Sequence, residues 1–444
     1  MSELEEYSKG DEIINKFLKL FTSYSIRNLA YGKLMFHAIM GQICKHINIT
    51  IKKQKRDLRI HPWFVQDSGS GKSSGLPFIN DVIKALKIQF KIHSGDINEA
   101  SLVGSFDKRS QSVSSRGTTV TEDEVVEIPG LLRTFEDGGI LFFEEAEFIL
   151  EASKRDYNKL LLGYLQASMN PIGDPSHCVE RSLKYGTILL HPKCTFIFTS
   201  PLVNTKLSDV MRMGFFQRTL PYFKKLKNED WNAIAKGVIK NIGAERTKQF
   251  TDEVQMFSDI IVYLSQVKKR VQSIDRVFFS MGAKKQLAEY YKKYCKEISN
   301  LKGQLKDTMD TFKIRSLVNV AIIASHKALL DMRNNVVAED VFYASDFVLE
   351  CMKSLMTFME TSVEMVSQDI YEVRWNKVRR NWFDIFSKVK KGLEKNSLNR
   401  KAFIEYLQKY LGLSDSSAYR YVDTWIKRGY LVRIGEDVAL KVVQ

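Results

Sequence analysis

Lys72 and Ser73 close the run Gln66-Asp-Ser-Gly-Ser-Gly-Lys-Ser73, and Glu144 and Glu145 close the run Ile140-Leu-Phe-Phe-Glu-Glu145. A lysine after a glycine-rich turn is a point charge for a polyphosphate, and the hydroxyl beside it is a ligand for Mg²⁺. Gly69 and Gly71 let successive backbone N–H groups turn inward on an anion, and a helix starting there adds the positive end of its dipole. The candidate nucleotide contacts are therefore Gln66, Asp67, Ser68, Gly69, Ser70, Gly71, Lys72, Ser73 and Ser74, with ATP and Mg²⁺ as the expected ligands. Glu144 is expected to hold the water shell of the metal beside Ser73, and Glu145 to orient and polarise an attacking water. Two positions depart from the usual pattern. Gln66 replaces the first glycine of the loop, and Glu144 stands where aspartate is common. The plainer readings are a flexible turn with an incidental lysine, and an acidic helix cap after a strand.

Further residues could serve the same chemistry. Thr195-Phe-Ile-Phe-Thr-Ser-Pro201 reads as a buried strand ending in hydroxyls, so Ser200 or Thr199 could contact the γ-phosphate or the nucleophilic water. Arg218 lies between apolar neighbours in Gly214-Phe-Phe-Gln-Arg-Thr-Leu220, and Arg315 opens a helix, facing out of an otherwise apolar pattern. Taken alone, a Thr-Ser-Pro strand end is more often a turn, and a lone arginine is more often a surface charge.

The elements that must position these groups follow from periodicity. Residues 1–60 read as a helical segment, with apolar spacing over 13–23 and 29–47 and a short basic link over 52–59. Residues 61–228 alternate strand and helix: strands over 62–65, 88–92, 140–143 and 195–199, and helices over 76–86 and 157–169. Within them, 101–127 is polar and reads as an insertion or functional loop carrying Lys108, Arg109 and Arg116. The stretch 179–190 alternates like a hairpin and carries Arg181 and Lys184. Residues 229–360 are almost all helical, over 253–270, 282–298, 311–332 and 337–358. Residues 371–444 form a different unit, with helices over 375–392, 399–410 and 415–428, then a hairpin turning at Gly435. That order is a winged helix-turn-helix. Ser416, Ser417, Tyr419 and Arg420 would start its recognition helix, and Arg433 would lie on the wing; a winged helix used for protein contact is the alternative.

Composition narrows the setting. The chain has 444 residues, 44% hydrophobic and 27% charged, an ordinary globular balance. No apolar run approaches the roughly 18–20 residues of a membrane span, so no membrane partner is expected. The N-terminal run is acidic without an apolar centre and does not read as a signal peptide. Five cysteines, odd in number and without a CxxC pair, argue against a disulfide framework or zinc site and suit a reducing cytoplasm. The net charge is +15, and residues 371–444 carry 16 Lys/Arg against 8 Asp/Glu, or +8. Charge gathered in one terminal module suggests a polyanion such as DNA, although a solvated lysine-rich surface is common.

In order, these parts resemble the AAA+ core of minichromosome maintenance (MCM) replicative helicases and their mobile-element relatives, from about Trp63 to Glu350. Gln66–Ser73 stands at that family's phosphate loop. Pro129-Gly-Leu-Leu, Asp137-Gly-Gly-Ile and Glu144-Glu-Ala-Glu147 match the stretch leading through the second nucleotide motif. Tyr164-Leu-Gln-Ala-Ser-Met-Asn-Pro-Ile172 resembles the segment before the pre-sensor hairpin. Ser200-Pro201 falls on sensor 1, Phe216-Gln-Arg218 on the arginine finger, and Lys313-Ile-Arg315 through Ala338-Glu-Asp-Val341 on the sensor 2 helices. No counterpart of the oligonucleotide-binding domain that precedes the family's core is expected in residues 1–60. The resemblance implies an α/β fold: a P-loop AAA+ core, its parallel sheet flanked by helices, with a helical lid and a C-terminal winged-helix domain. It also implies an ATP-dependent DNA helicase working as a hexameric ring, a viral or plasmid relative possibly encoded beside a primase. Nucleotide would sit between subunits, with Glu145 and Ser200 from one side and Arg218 and Arg315 from the neighbour. The loop 107–127 and the hairpin 173–190 would line the pore, bringing Lys108, Arg109, Arg116, Arg181 and Lys184 to DNA. An origin-binding initiator, or an ATPase that remodels protein, remains the alternative.

Overall fold

The strands rich in Trp, Phe, Ile and Val have no polar alternation, and such runs are stable only with both faces covered. In the computed structural model they make the centre of one parallel sheet. The structure describes residues 8–24, 29–51, 53–67, 73–115, 118–153, 155, 158–201, 214–241, 248–367, 374–375, 378–379, 381–389, 391, 397–411 and 414–440. The sheet strands are β1 (Pro62–Gln66), β2 (Phe90–His93), β3 (Gly139–Phe143), β4 (Cys194–Ser200) and β5 (Leu220–Lys224), in the spatial order β5-β1-β4-β3-β2. Every residue of β1, β3 and β4 is buried. All neighbours pair in parallel, with Ser200 beside Val65 and Phe198 beside Phe143. The carboxyl ends therefore share one edge and the amino ends the other. Inserting β4 between β1 and β3 sets its last residues between the phosphate-loop strand and the acidic strand.

Rings fill the layers around this sheet. Trp63 packs on Phe198 at 5.2 Å between centroids, and Phe143 stacks on Phe198 at 5.4 Å. The helix Leu29–Ile43 lies across β1, β3 and β4 and is buried nearly all round, so its apolar residues show little one-sided pattern. Its Tyr31 stacks on Phe64 at 4.1 Å. The helix Lys9–Tyr24 sends Phe17 against Phe78 of the helix Leu76–Ala85, at 5.1 Å. The N-terminal helices thus pack into the same body as the sheet. The chain divides into two compact units, Met1–Thr357 and Phe358–Gln444.

Two segments differ from the sequence expectation. The basic link over 52–59 includes a strand, Gln54–Asp57, paired antiparallel with Asn48–Ile51. Its Asp57 and the following Arg59 are buried, because each satisfies the other. The polar stretch over 101–127 is not a loop but an antiparallel hairpin, Gly104–Ser115 against Thr118–Pro129. Polar side chains concealed it, since this ribbon needs no apolar face along its length. Its base does need a glycine: Gly104 has φ +121°, and a Cβ there would meet the Ile128 carbonyl oxygen at 2.8 Å. The second hairpin, Val179–Leu183 with Gly186–Leu190, lies where alternation puts it.

Among the described residues the helices Asn228–Asn241, Lys248–Val271, Met281–Ser299, Gly303–Thr311, Lys313–Leu330 and Ala338–Ser367 follow. The helix Gly303–Thr311 was not legible because its sequence is polar apart from the buried Leu305 and Met309. A chain of rings ties this region to the sheet. Tyr343 Oη lies 3.1 Å from His37 Nε2, His37 Nδ1 lies 3.4 Å from His326 Nδ1, and His326 Nε2 lies 2.8 Å from the Leu58 carbonyl. One tautomer set satisfies all three contacts, with Tyr343 donating to His37, His37 to His326 and His326 to Leu58.

The second unit packs Trp375, Trp382, Phe403, Leu407, Tyr421 and Trp425 into its own core. It has helices Trp382–Lys388, Arg400–Leu411 and Asp415–Lys427, and a three-stranded sheet of Leu398–Asn399, Leu431–Ile434 and Asp437–Leu440. The two-residue strand is too short for a sequence pattern to reveal. Gly435, at φ +59°, makes the hairpin turn. No helix among the described residues is long and apolar enough to cross a membrane.

Burial lowers the pKa of His326 from 6.5 to about 4, outweighing the hydrogen bond to the Leu58 carbonyl, which raises it. His37 is lowered further by burial and by the charges of His326 and Lys33. The unfolded chain then binds more protons than the native one between about pH 6.5 and 4, so stability is full above that window and falls through it. From pH 7 to pH 5 His326 alone should cost on the order of 2 kcal/mol. Urea midpoints should drop over that interval, and His326→Gln should flatten the slope.

Candidate functional site

At the carboxyl edge, the loop leaving β1 and the turn leaving β3 meet. Ser73 Oγ donates a hydrogen bond to Glu144 Oε1. The turn is fixed from both sides: the Glu144 N–H donates to the His93 carbonyl at 3.1 Å, and the Ala146 N–H to the Thr199 carbonyl at 2.8 Å. The hydroxyl and carboxylate that the sequence assigns to Mg²⁺ are therefore in contact. Both donors are oxygens at a solvent-facing edge, a set that suits a hard cation keeping several waters. Glu145 is exposed beside them. Among the described residues no cluster of three or more His, Cys, Asp or Glu could hold a metal instead.

The other loop residues divide. Ser68, Gly69, Ser70, Gly71 and Lys72 lie outside the described residues. Ser74 is exposed, and Gln66 is buried as the last residue of β1. Asp67 Oδ2 accepts the Leu226 N–H at 2.8 Å, tying the loop entrance to the end of β5. Ser200 differs from an open strand-end hydroxyl. It is 1% exposed, and its Oγ accepts the Trp63 indole N–H at 3.1 Å, bracing β4 against β1. Thr199 is buried beside it. Tyr31 escaped the sequence motifs altogether. Burial raises its pKa, and the charge of Glu144 adds to that, so a neutral phenol lies under the acidic turn.

The amino edge of the same sheet holds the opposite charge. The Leu220 N–H donates to the His61 carbonyl at 2.8 Å, which sets Arg218 at the start of β5 and beside the start of β1. β1 carries the chain roughly 13 Å from there to the phosphate loop at a strand's rise per residue. Arg218 Nε donates to Asn170 Oδ1 at 2.7 Å and Nη1 to the Gly214 carbonyl at 2.6 Å. With its amide oxygen turned to the guanidinium, Gln166 accepts at 3.0 and 3.2 Å. Arg315 does not face outward. It lines a cavity of about 50 Å³ together with Arg56, Asp57, Arg59, His61 and Arg218. Burial, then the charges of Arg218 and Arg56, lower its pKa from 12.5 to about 10. Arg218 is lowered by burial and by Arg56.

This edge is anchored by Asp57 and Arg59, whose side chains are 4% and 1% exposed. Arg59 Nε and Nη2 donate to the two Asp57 oxygens at 2.8 and 3.2 Å. Nη1 reaches the Ser168 and Cys194 carbonyls, and Nη2 the Asn170 carbonyl. Asp57 also accepts the Ile172 N–H at 2.7 Å. Burial pushes the Asp57 carboxyl up, but the Arg59 charge and these bonds outweigh it and hold it below its ordinary value. The pair positions Asn170, and Asn170 positions Arg218.

The residues expected at DNA are mixed in placement. Lys108 and Lys184 are exposed, and Lys184 lies 5.2 Å from the ring of Tyr185 at the turn of the second hairpin. Arg181 is instead turned inward, donating to the Gly104 carbonyl and lying 4.0 Å from Glu99, so it braces the first hairpin's base. Arg116 and the side chain of Arg109 lie outside the described residues. In the second unit, Ser416, Tyr419 and Arg420 are exposed on the helix Asp415–Lys427, opposite its buried Ala418, Tyr421, Val422 and Trp425. Ser417 is half-buried and accepts from Ser414 Oγ at 2.9 Å. Arg433 folds back, its Nε donating to the Gly435 carbonyl at 3.1 Å.

Removing one partner of a buried pair leaves the other uncompensated. Asp57→Ala should therefore destabilise the first unit by about 3–5 kcal/mol in chemical denaturation. A change under about 1 kcal/mol would mean that the pair does not anchor this edge. No protein-family model matches the chain, and no curated protein matches it.

Proposed function

We propose that this chain is a Mg²⁺-dependent ATPase of the AAA+ type, resembling the MCM helicases, that works as a ring of copies translocating on DNA. The observation that carries this is the separation of charge across one parallel sheet. Ser73 and Glu144 meet at the carboxyl edge, while Arg218 and Arg315 converge at the amino edge. Arginines so placed cannot serve the nucleotide of their own subunit, but they are available to that of a neighbour. Lys72 would hold the β- and γ-phosphates, and Ser73 and Glu144 the metal. Bound Mg²⁺ would neutralise charge on the phosphate oxygens. Glu145, exposed next to Glu144, would orient the attacking water and take its proton. Arg218 from the adjacent copy would stabilise charge developing on the transferred phosphoryl group.

Support for DNA as the track is the exposed Lys184–Tyr185 hairpin turn, the exposed Lys108, and the charge of the C-terminal residues. The second unit, a winged helix by its element order, would bind duplex through Ser416, Tyr419 and Arg420. Phosphate contacts there would release counterions, so binding should weaken with salt.

Lys72→Ala should abolish hydrolysis, and Glu145→Gln should keep ATP binding while lowering turnover by about 10²-fold or more. Arg218→Ala should bind ATP and hydrolyse it poorly, and mixing it with Lys72→Ala should restore activity at mixed interfaces. A rate per subunit that stays flat on dilution, with sedimentation reporting a single active chain, would end the ring proposal. Strand displacement on a forked duplex then separates a helicase from an ATPase that only binds DNA.

A further inference from the structure

Where β2 and β3 begin, a second basic group surrounds a cavity of about 340 Å³. In the strand order this is the end of the sheet away from β5 and Arg218. Lys45 follows the helix Leu29–Ile43, Lys87 lies just past the helix Leu76–Ala85, and Lys268 stands in the last turn of Lys248–Val271. Three distant segments thus each bring a lysine to one hollow. Gly138 and Gly139 line it between them, at φ +100° and +137°. A Cβ on Gly139 would meet the Gln89 carbonyl oxygen at 2.7 Å, and one on Gly138 would strike Lys45 Nζ. The Gly139 N–H donates to Gln42 Oε1 at 2.8 Å, and Gln42 Nε2 to the Lys193 carbonyl at 3.1 Å, so this wall is pinned. The lysines donate to neutral acceptors: Lys45 Nζ to the Asp137 carbonyl, and Lys268 Nζ to the Leu86 carbonyl at 2.7 Å. The exposed Asp137 is the one carboxylate lining the cavity among the described residues. Burial, then the charge of Lys193, lower the pKa of Lys45; Asp137 opposes this and Lys268 adds to it. Lys87 has φ +52°, at the position after a helix where glycine is usual, so its charge is kept at a conformational cost. An ordinary lysine surface would leave such groups apart in water; a shared anion is what makes their convergence favourable.

We propose that this cavity is an anion site in which Lys45, Lys87 and Lys268 together bind a phosphate group. Ammonium groups are compact point charges with rotatable donors, and their hydrogen bonds to phosphate oxygens are charge-assisted. About 340 Å³ is near the lower end of small-ligand sites, enough for a phosphate with a small group attached. The phosphate has two sources of the same chemistry, a free small molecule or a nucleic-acid strand crossing the cavity mouth. Every residue of the site comes from one chain, so the proposal stands apart from ATP hydrolysis and from assembly. A ligand here would also tie the helix Lys248–Val271 to the starts of β2 and β3.

Acetylation of the full chain, quantified lysine by lysine by mass spectrometry, tests this without ATP. The reagent consumes the free amine, and an anion held beside an ammonium favours its charged form. Millimolar pyrophosphate should slow the reaction of Lys45, Lys87 and Lys268 by about threefold or more, relative to sodium chloride of equal ionic strength. The exposed Lys284, outside the cavity, should react at an unchanged rate. A thymidine oligonucleotide forms the second arm. Slowing by pyrophosphate assigns the phosphate to a small molecule, and slowing by the oligonucleotide alone assigns it to nucleic acid. No slowing in either arm, or equal slowing at Lys284, overturns the proposal. Lys87→Gly keeps folding apart from binding, because glycine adopts φ +52° without strain. Its thermal midpoint should be unchanged or higher, while the protection of Lys45 and Lys268 should need about threefold more of the protecting phosphate. Undiminished protection, or a lower midpoint, would make Lys87 no part of an anion site and overturn the proposal.

Discussion

The buried pair of Asp57 and Arg59 is the constraint on which the amino edge of the sheet depends. All the guanidinium nitrogens of Arg59 are engaged, on one carboxylate and three carbonyls from three parts of the chain. The start of β4, the end of the helix Leu161–Ser168 and the Asn170–Ile172 turn are thereby held at one point. Such a pair contributes little net energy, because taking both charges out of water costs nearly what their attraction returns. Its effect is geometric. Any shift in the Asn170 turn leaves a buried charge without a partner, so the turn is set where Asn170 can hold Arg218.

From that anchor the sheet sorts charge by edge. Parallel pairing alone brings every strand's carboxyl end to one side, and with it the loop after β1 and the acids after β3. The arginines come from segments that precede strands, or from the helix Lys313–Leu330, and gather on the other side. Asp57 lines that cavity too, but its carboxylate is already held by Arg59.

Hydroxyls and acids at the carboxyl edge are braced as much as they are presented. Asp67 ties the loop entrance to β5, and Trp63 holds Ser200 within the sheet. Among the described residues Ser73, Ser74 and Glu145 are exposed at this edge, and Glu144 is half-buried. The hairpins show a similar division, in which Arg181 secures the base of one and Lys184 stands free at the turn of the other.

Much of this was legible in local pattern. Continuous apolar runs mark β1, β3 and β4 because buried parallel strands tolerate no polar face. Apolar spacing marks most helices, and the alternation over 179–190 marks the short hairpin. The glycine-rich loop and the Glu-Glu pair stand out by residue type and by following strands, and Ser73 and Glu144 do meet at one edge. What local pattern missed are features defined by partners distant in sequence. The hairpin Gly104–Ser115 with Thr118–Pro129 has no apolar signature, and Asp57 and Arg59 read as part of a basic link because nothing nearby says they are buried. Arg315 reads as facing outward on its helix, and Arg56 as one basic residue among several. That both line one cavity with Arg218 depends on how the strand before β1, the turn before β5 and a helix a hundred residues further on pack together. Residue type and spacing determine which groups can do phosphate chemistry; tertiary packing decides which edge of the sheet each one faces, because burial and pairing act between segments that the sequence keeps apart.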